Sequence, residues 1–165
     1  MPDPGDLSFR GDDQRFRVVL SQGAVRGMVD ACIDAGRKET GGILVGRLEA
    51  QGQLARILEA TPRPRDSKFG WFWFRRGTAG LGRLLQERWN SGLHYLGEWH
   101  YHPGGSCEPS EADYKAMAAI AGDARYQAPE PILAILGGEP GDVWEISITV
   151  LPVGEKPYRL RSCDG

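Results

Sequence analysis

His100-Tyr101-His102, followed after seven residues by Ser110 and after two more by Asp113, brings two imidazoles, a hydroxyl and a carboxylate into one short stretch of chain. A structural zinc fills its four positions with protein, commonly thiolates, whereas a catalytic zinc takes three ligands from His, Asp, Glu or Cys and keeps the fourth position for water. Two histidines and one aspartate match the catalytic kind.

The elements that must position these groups are legible nearby. Leu93 to His102 has strand composition, and side chains two apart on a strand share a face, so His100 and His102 project together. Pro103, Gly104 and Gly105 end the strand, because Pro lacks a ladder donor and Gly takes turn conformations at low cost. Pro109-Ser110-Glu111-Ala112-Asp113 reads as a helix start with Ser110 at the N-cap and Asp113 one turn in. Each fragment also has an ordinary explanation. His-x-His occurs by chance at strand ends, and Ser-x-x-Asp is a capping pattern in its own right.

A general base is available upstream. Val25, Met28, Val29, Cys32 and Ile33 fall at i, i+3, i+4, i+7 and i+8, the stripe of an amphipathic helix, which Gly36 ends. The chain then enters the apolar run Gly42-Ile43-Leu44-Val45, so Glu39 stands at the mouth of a core strand between glycines that admit other backbone. A carboxylate costs free energy there, and a site that needs a base would justify it. The bland reading is a solvated loop acid.

Together, Glu39, His100, His102, Ser110 and Asp113 give the pattern Glu…His-x-His-x7-Ser-x2-Asp. This resembles the JAB/MPN (JAMM) zinc metalloproteases, and the flanking Glu39-Thr40-Gly41-Gly42, Gly97-Glu98-Trp99-His100, Pro103 and Pro109 look like those of stand-alone bacterial members. The resemblance covers about residues 15 to 153. It implies an α/β fold, a single JAB/MPN-like (cytidine-deaminase-like) domain with a mixed β-sheet flanked by helices. It further implies one catalytic Zn2+ held by His100, His102 and Asp113, with Glu39 as general base and acid and Ser110 as donor to the oxyanion. Family members cut after the C-terminal tail of a ubiquitin-like protein. The implied partners are therefore a ubiquitin-like protein or its conjugated target, with activating-like and conjugating-like enzymes of the same pathway, as in anti-phage operons. Processing of a sulfur-carrier protein, by releasing cysteine from its C-terminus, is a second reading within the enzyme class, and a non-catalytic MPN scaffold a third. Tyr101 departs from the small hydroxylated residue common between the histidines, and on a strand it points away from them. Glu98 points with the histidines, either as a partner that orients His100 or as an exposed strand acid.

With 165 residues and 41% hydrophobic content the chain can build one core unaided. A net charge of −2 argues against generic nucleic-acid binding, which calls for a basic surface. The stretch from Arg63 to Arg88 is locally basic, either a solvated face or a contact for an acidic partner. Cys32, Cys107 and Cys163 form no CxxC and leave an odd thiol, which suits a reducing cytoplasm. With no long apolar run, a soluble cytoplasmic protein without membrane contact is expected. The chain divides into a polar arm over 1–14, the catalytic domain over 15–153 and a tail over 154–165. Strands are expected near Phe16 to Leu20, Gly42 to Leu48, Leu54 to Ala60, Phe69 to Phe74, Leu93 to His102, Pro131 to Leu136 and Val143 to Leu151. Helices are expected over Gln22 to Ala35, around Leu81 to Trp89 and from Ser110 to Ala121.

Overall fold

A computed structural model describes residues 5–71 and 74–163. In chain order the elements are β1 (Leu7–Arg10), β2 (Arg17–Leu20), α1 (Gln22–Ala35), β3 (Thr40–Glu49), β4 (Leu54–Ala60), β5 (Lys68–Phe69), β6 (Phe74–Arg75), α2 (Leu81–Asn90), β7 (His94–Pro103), α3 (Glu111–Ala121), β8 (Ile132–Gly138), β9 (Trp144–Val150) and β10 (Tyr158–Ser162). Eight strands close into a barrel in the order β1-β10-β9-β8-β7-β3-β4-β2, and β5 with β6 makes a separate hairpin. The sheet is mixed: β2 runs parallel to β4 and β7 parallel to β8, while the other neighbours are antiparallel. The expected α/β class with a mixed sheet and flanking helices holds, with the closure into a barrel added.

Alternation along the strands separates core from site. Trp99 and Tyr101 join the main apolar cluster with α1 residues Val25, Met28 and Cys32. Period two therefore turns Glu98, His100 and His102 to the opposite face of β7. A second cluster, Leu133, Ile135 and Leu151 with Met117 of α3, fixes the helix that carries Asp113. A third, Ile43, Val45 and Tyr95, receives Leu81, Leu84 and Leu85 of α2. Among the described residues no helix is long and apolar enough to cross a membrane.

Several expectations differ from what folds. The aromatic run from Phe69 to Phe74 is not one strand: β5 and β6 are two-residue arms of a hairpin, and Phe72 and Trp73 lie outside the described residues. Ile33 is 55% exposed and Ala24 is buried in its place. At 3.6 residues per turn Ile33 lies roughly 80° round α1 from Val25, off the edge of the buried arc. The polar arm contains β1, whose Phe9 is buried, and the C-terminal tail contains β10, so the sheet does not finish at β9. β1 pairs with both β2 and β10 and thereby closes the barrel, a long-range pairing that leaves no local signature in strands of four or five residues.

Candidate active site

Asp113 is the centre of the constellation. Its Oδ1 lies 2.6 Å from His100 Nδ1 and its Oδ2 3.4 Å from His102 Nε2. Asp113 and His100 are buried and His102 nearly so. The helix start that holds Asp113 is a complete capping box: Ser110 Oγ accepts from the Asp113 N–H at 3.1 Å, and Asp113 Oδ2 accepts from the Ser110 N–H at 2.7 Å. Ser110 is exposed, and because Oγ accepts the capping bond its own O–H remains free to donate outward. The capping explanation of Ser110-x-x-Asp113 is thus correct, and it coexists with convergence on the histidines.

The histidines are held from behind. His102 Nδ1 faces the Ser106 carbonyl at 3.2 Å, and since a carbonyl only accepts, Nδ1 carries a proton and Nε2 is turned toward Asp113. The Phe74 ring packs edge-on against His100, with centroids 5.4 Å apart and planes at 73°. Each histidine has a glycine as strand neighbour, Gly41 of β3 beside His100 and Gly137 of β8 beside His102. A Cβ on Gly41 would meet the Trp99 carbonyl oxygen at 2.3 Å and His100 Cδ2 and Phe74 Cε1 at 2.9 Å. A Cβ on Gly137 would meet Cys107 N and Gly105 O at 2.7 Å, within the loop that leads from His102 to Ser110.

Charges follow from this packing. Burial works against an ionised Asp113, yet the hydrogen bonds from His100 and His102 hold its carboxyl well below the usual range. Burial also works against a protonated His102, and its bond to Asp113 prevails and raises its pKa. Glu39 is half-buried just before β3, its N–H bonded to the Gly70 carbonyl at 2.9 Å. Burial raises its carboxyl pKa, His102 and His100 pull it down, and Asp113 pushes it up, so all three act on Glu39 through space.

The donor set suits a metal with one change. On a tetrahedral zinc with bonds of ~2.0 Å, two ligand atoms stand about 3.3 Å apart. The 3.4 Å between His102 Nε2 and Asp113 Oδ2 matches that separation, whereas the 2.6 Å contact of His100 is a hydrogen bond. Among the described residues no three donors stand ready-arranged around an ion, and a metal held through His100 Nδ1 would require its bond to Asp113 to open.

A family model described as prokaryotic homologs of the JAB domain matches residues 21–148, from the residue before α1 into β9. The chain belongs to this prokaryotic JAB family. It is also 46% identical over 156 residues to a protein named CD-NTase/cGAS isopeptidase from Enterobacter hormaechei subsp. hoffmannii (strain UCI 50), covering 94% of this chain and 87% of that protein. The solution structure of protein DSY2949 from Desulfitobacterium hafniense superposes with a TM-score of 0.63 at 17% identity, covering 85% of this chain and 87% of that one, a likeness of fold.

Within this prokaryotic JAB chain, the structure brings together His100, His102, Ser110 and Asp113 and places Glu39 within electrostatic reach. Glu98 fits neither sequence expectation. It is 2% exposed and bonds to Arg76 Nε at 2.6 Å and to the Tyr95 hydroxyl at 2.7 Å. Tyr101 is buried in the core as its strand position requires, and its hydroxyl donates to the Gly36 carbonyl at 3.3 Å. The supports that sequence reasoning missed are Phe74, the Ser106 carbonyl and Gly137. Phe74 sat in a run read as one strand, a backbone carbonyl has no signature, and Gly137 read as part of a turn.

Proposed function

We propose that this chain is a zinc-dependent isopeptidase that cleaves the amide bond between a ubiquitin-like C-terminal tail and a conjugated protein. The observation that carries the reading is the convergence of His100 and His102 on the capping-box Asp113, with Ser110 beside them and Glu39 half-buried just before β3, two residues from Gly41, the strand neighbour of His100. The similar protein's name supports an isopeptide substrate, and a CD-NTase or cGAS-type protein is the proposed conjugated partner, which would place the activity in anti-phage defence.

His100, His102 and Asp113 would hold the zinc. When bound, it would supply a Lewis acid and a water of lowered pKa. Glu39 takes the proton from the attacking water and delivers it to the leaving amine, a two-way role that its raised carboxyl pKa favours. Ser110 donates its free O–H to the carbonyl oxygen as negative charge develops there, while Oγ keeps the capping bond. Asp113 and the Ser106 carbonyl keep the His102 ring from turning.

The test is a pair of variants assayed on an amide-linked conjugate. Glu39→Ala is expected to retain stoichiometric zinc and lose turnover, and His102→Ala to lose both. Wild-type cleavage by Glu39→Ala would remove the assigned base.

A further inference from the structure

Residues in and next to the β5–β6 pair touch the site at two points. Gly70 accepts the Glu39 N–H, and Phe74 packs on His100. Neither contact would hold a two-residue hairpin in place, since isolated hairpins are marginal in water. Arg76 supplies the anchor. Its Nε donates to Glu98 Oε2 at 2.6 Å, Nη1 to the Gly77 carbonyl at 2.8 Å and Nη2 to the Tyr126 hydroxyl at 2.8 Å, while Glu98 Oε1 accepts from Tyr95. The pair is almost fully withdrawn from water, with side-chain exposures of 9% and 2%.

The spacing is what ties this pair to the site. Phe74 and Arg76 are two residues apart, as are His100 and Glu98 on β7, and the two sets face each other: Phe74 on His100, Arg76 on Glu98. A buried ion pair is weak evidence for stability, because apolar residues of similar volume often serve as well. What it adds here is direction, since the planar guanidinium fork fixes one seating of the segment on β7. We propose that Arg76 is a positioning residue: through Glu98 it seats the paired strands β5 and β6 on β7 so that Phe74 holds the His100 ring and the Gly70 carbonyl, next to β5, holds Glu39. The inference deepens the isopeptidase reading and rests on it for the effect on turnover alone.

The double variant Arg76→Met/Glu98→Leu tests it, because removing both partners leaves no uncompensated charge to unfold the chain. Amide hydrogen exchange at the Glu39 N–H, zinc affinity, and kcat and KM are read on the full chain, with Arg76→Lys alongside. In the folded double variant the Glu39 amide is expected to exchange at least ~10-fold faster. Zinc affinity is expected to fall on the order of 10-fold, and kcat to fall more than KM rises. Arg76→Lys keeps the charge and recovers part of each loss. A folded double variant with wild-type Glu39 exchange and zinc affinity overturns the proposal. If the double variant does not fold, Arg76→Lys decides in the same way by its Glu39 exchange. If wild-type protein neither binds zinc nor cleaves, the isopeptidase reading fails while the Glu39 exchange still decides the role of Arg76.

Discussion

Replacing Gly41 by alanine adds one methyl group at the closest approach of β3 to β7. Gly41 has no left-handed backbone angle, so generic strand behaviour would have alanine stabilise by about 0.5–1 kcal/mol through lower chain entropy. Here the sign reverses. The added Cβ lies 2.3 Å from the Trp99 carbonyl oxygen, about 1 Å inside the ~3.3 Å of an ordinary carbon–oxygen contact, and the obstacle is backbone. It also lies 2.9 Å from both His100 Cδ2 and Phe74 Cε1, so moving β3 away disturbs the two rings at the site. Overpacking of this kind costs about 1–3 kcal/mol, and the carbonyl puts it at the upper end. For a chain of this length that lowers Tm by roughly 5–10 °C. Thermal unfolding of Gly41→Ala is the assay, with Gly82→Ala as control, since a Cβ at Gly82 in α2 meets open space and is expected to stabilise by several tenths of a kcal/mol. A Gly41→Ala protein as stable as wild type, with unchanged zinc affinity, would refute the close-approach account of the β3–β7 seam.

Further outcomes follow from the same geometry. Ser110→Ala removes the N-cap acceptor of α3 and the free hydroxyl together, so unfolding should show a loss of about 1 kcal/mol and kcat should fall ~10²-fold with zinc retained. Arg88→Ala breaks an ion pair with Glu59 that is about one-third exposed; it should cost under about 1 kcal/mol by denaturation and leave cleavage rates alone. In metal-free protein Asp113, with a depressed pKa, contributes stability above its unfolded value that is lost as pH falls through the folded one. His102, with a raised pKa, contributes stability that is complete below its ordinary 6.5 and lost as pH rises through the folded value. The stabilising window therefore runs from about 4 to about 6.5. Zinc held by His102 would have to displace its proton, so the rise in Tm on adding zinc should grow with pH above that window, and a pH-independent rise from pH 5 to 8 would contradict the proposed role of His102 as a ligand.

How much of this was legible depends on whether the signal is local. The i, i+2 spacing of His100 and His102 and the i, i+3 spacing of Ser110 and Asp113 encode their own geometry, so their elements were readable: Ser110 is the N-cap and both imidazoles reach Asp113. α1 spans the expected Gln22–Ala35 and β4 the expected Leu54–Ala60, because caps and periodicity mark them. What escaped is set by tertiary pairing. Leu7 to Arg10 and Tyr158 to Ser162 are short polar-flanked strands that become sheet by finding each other and their neighbours across the barrel. Glu98 had the alternation of a site residue, but its partner Arg76 lies 22 residues upstream in a segment whose basic bias read as a solvated face or a contact for an acidic partner. Within that segment Arg76, Arg83 and Arg88 pair with Glu98, Glu87 and Glu59, and Arg63 stacks over the Phe69 ring. The bias is thus answered at several positions inside the chain.

The central claim is that His100, His102 and Asp113 carry the metal on which cleavage depends. Its most direct test is cleavage of an amide-linked fusion between a ubiquitin-like tail and a CD-NTase or cGAS-type protein, followed through chelation and zinc re-addition. The account predicts that a chelator abolishes cleavage and that stoichiometric zinc restores it. Cleavage that persists at the wild-type rate after complete removal of metal would contradict it.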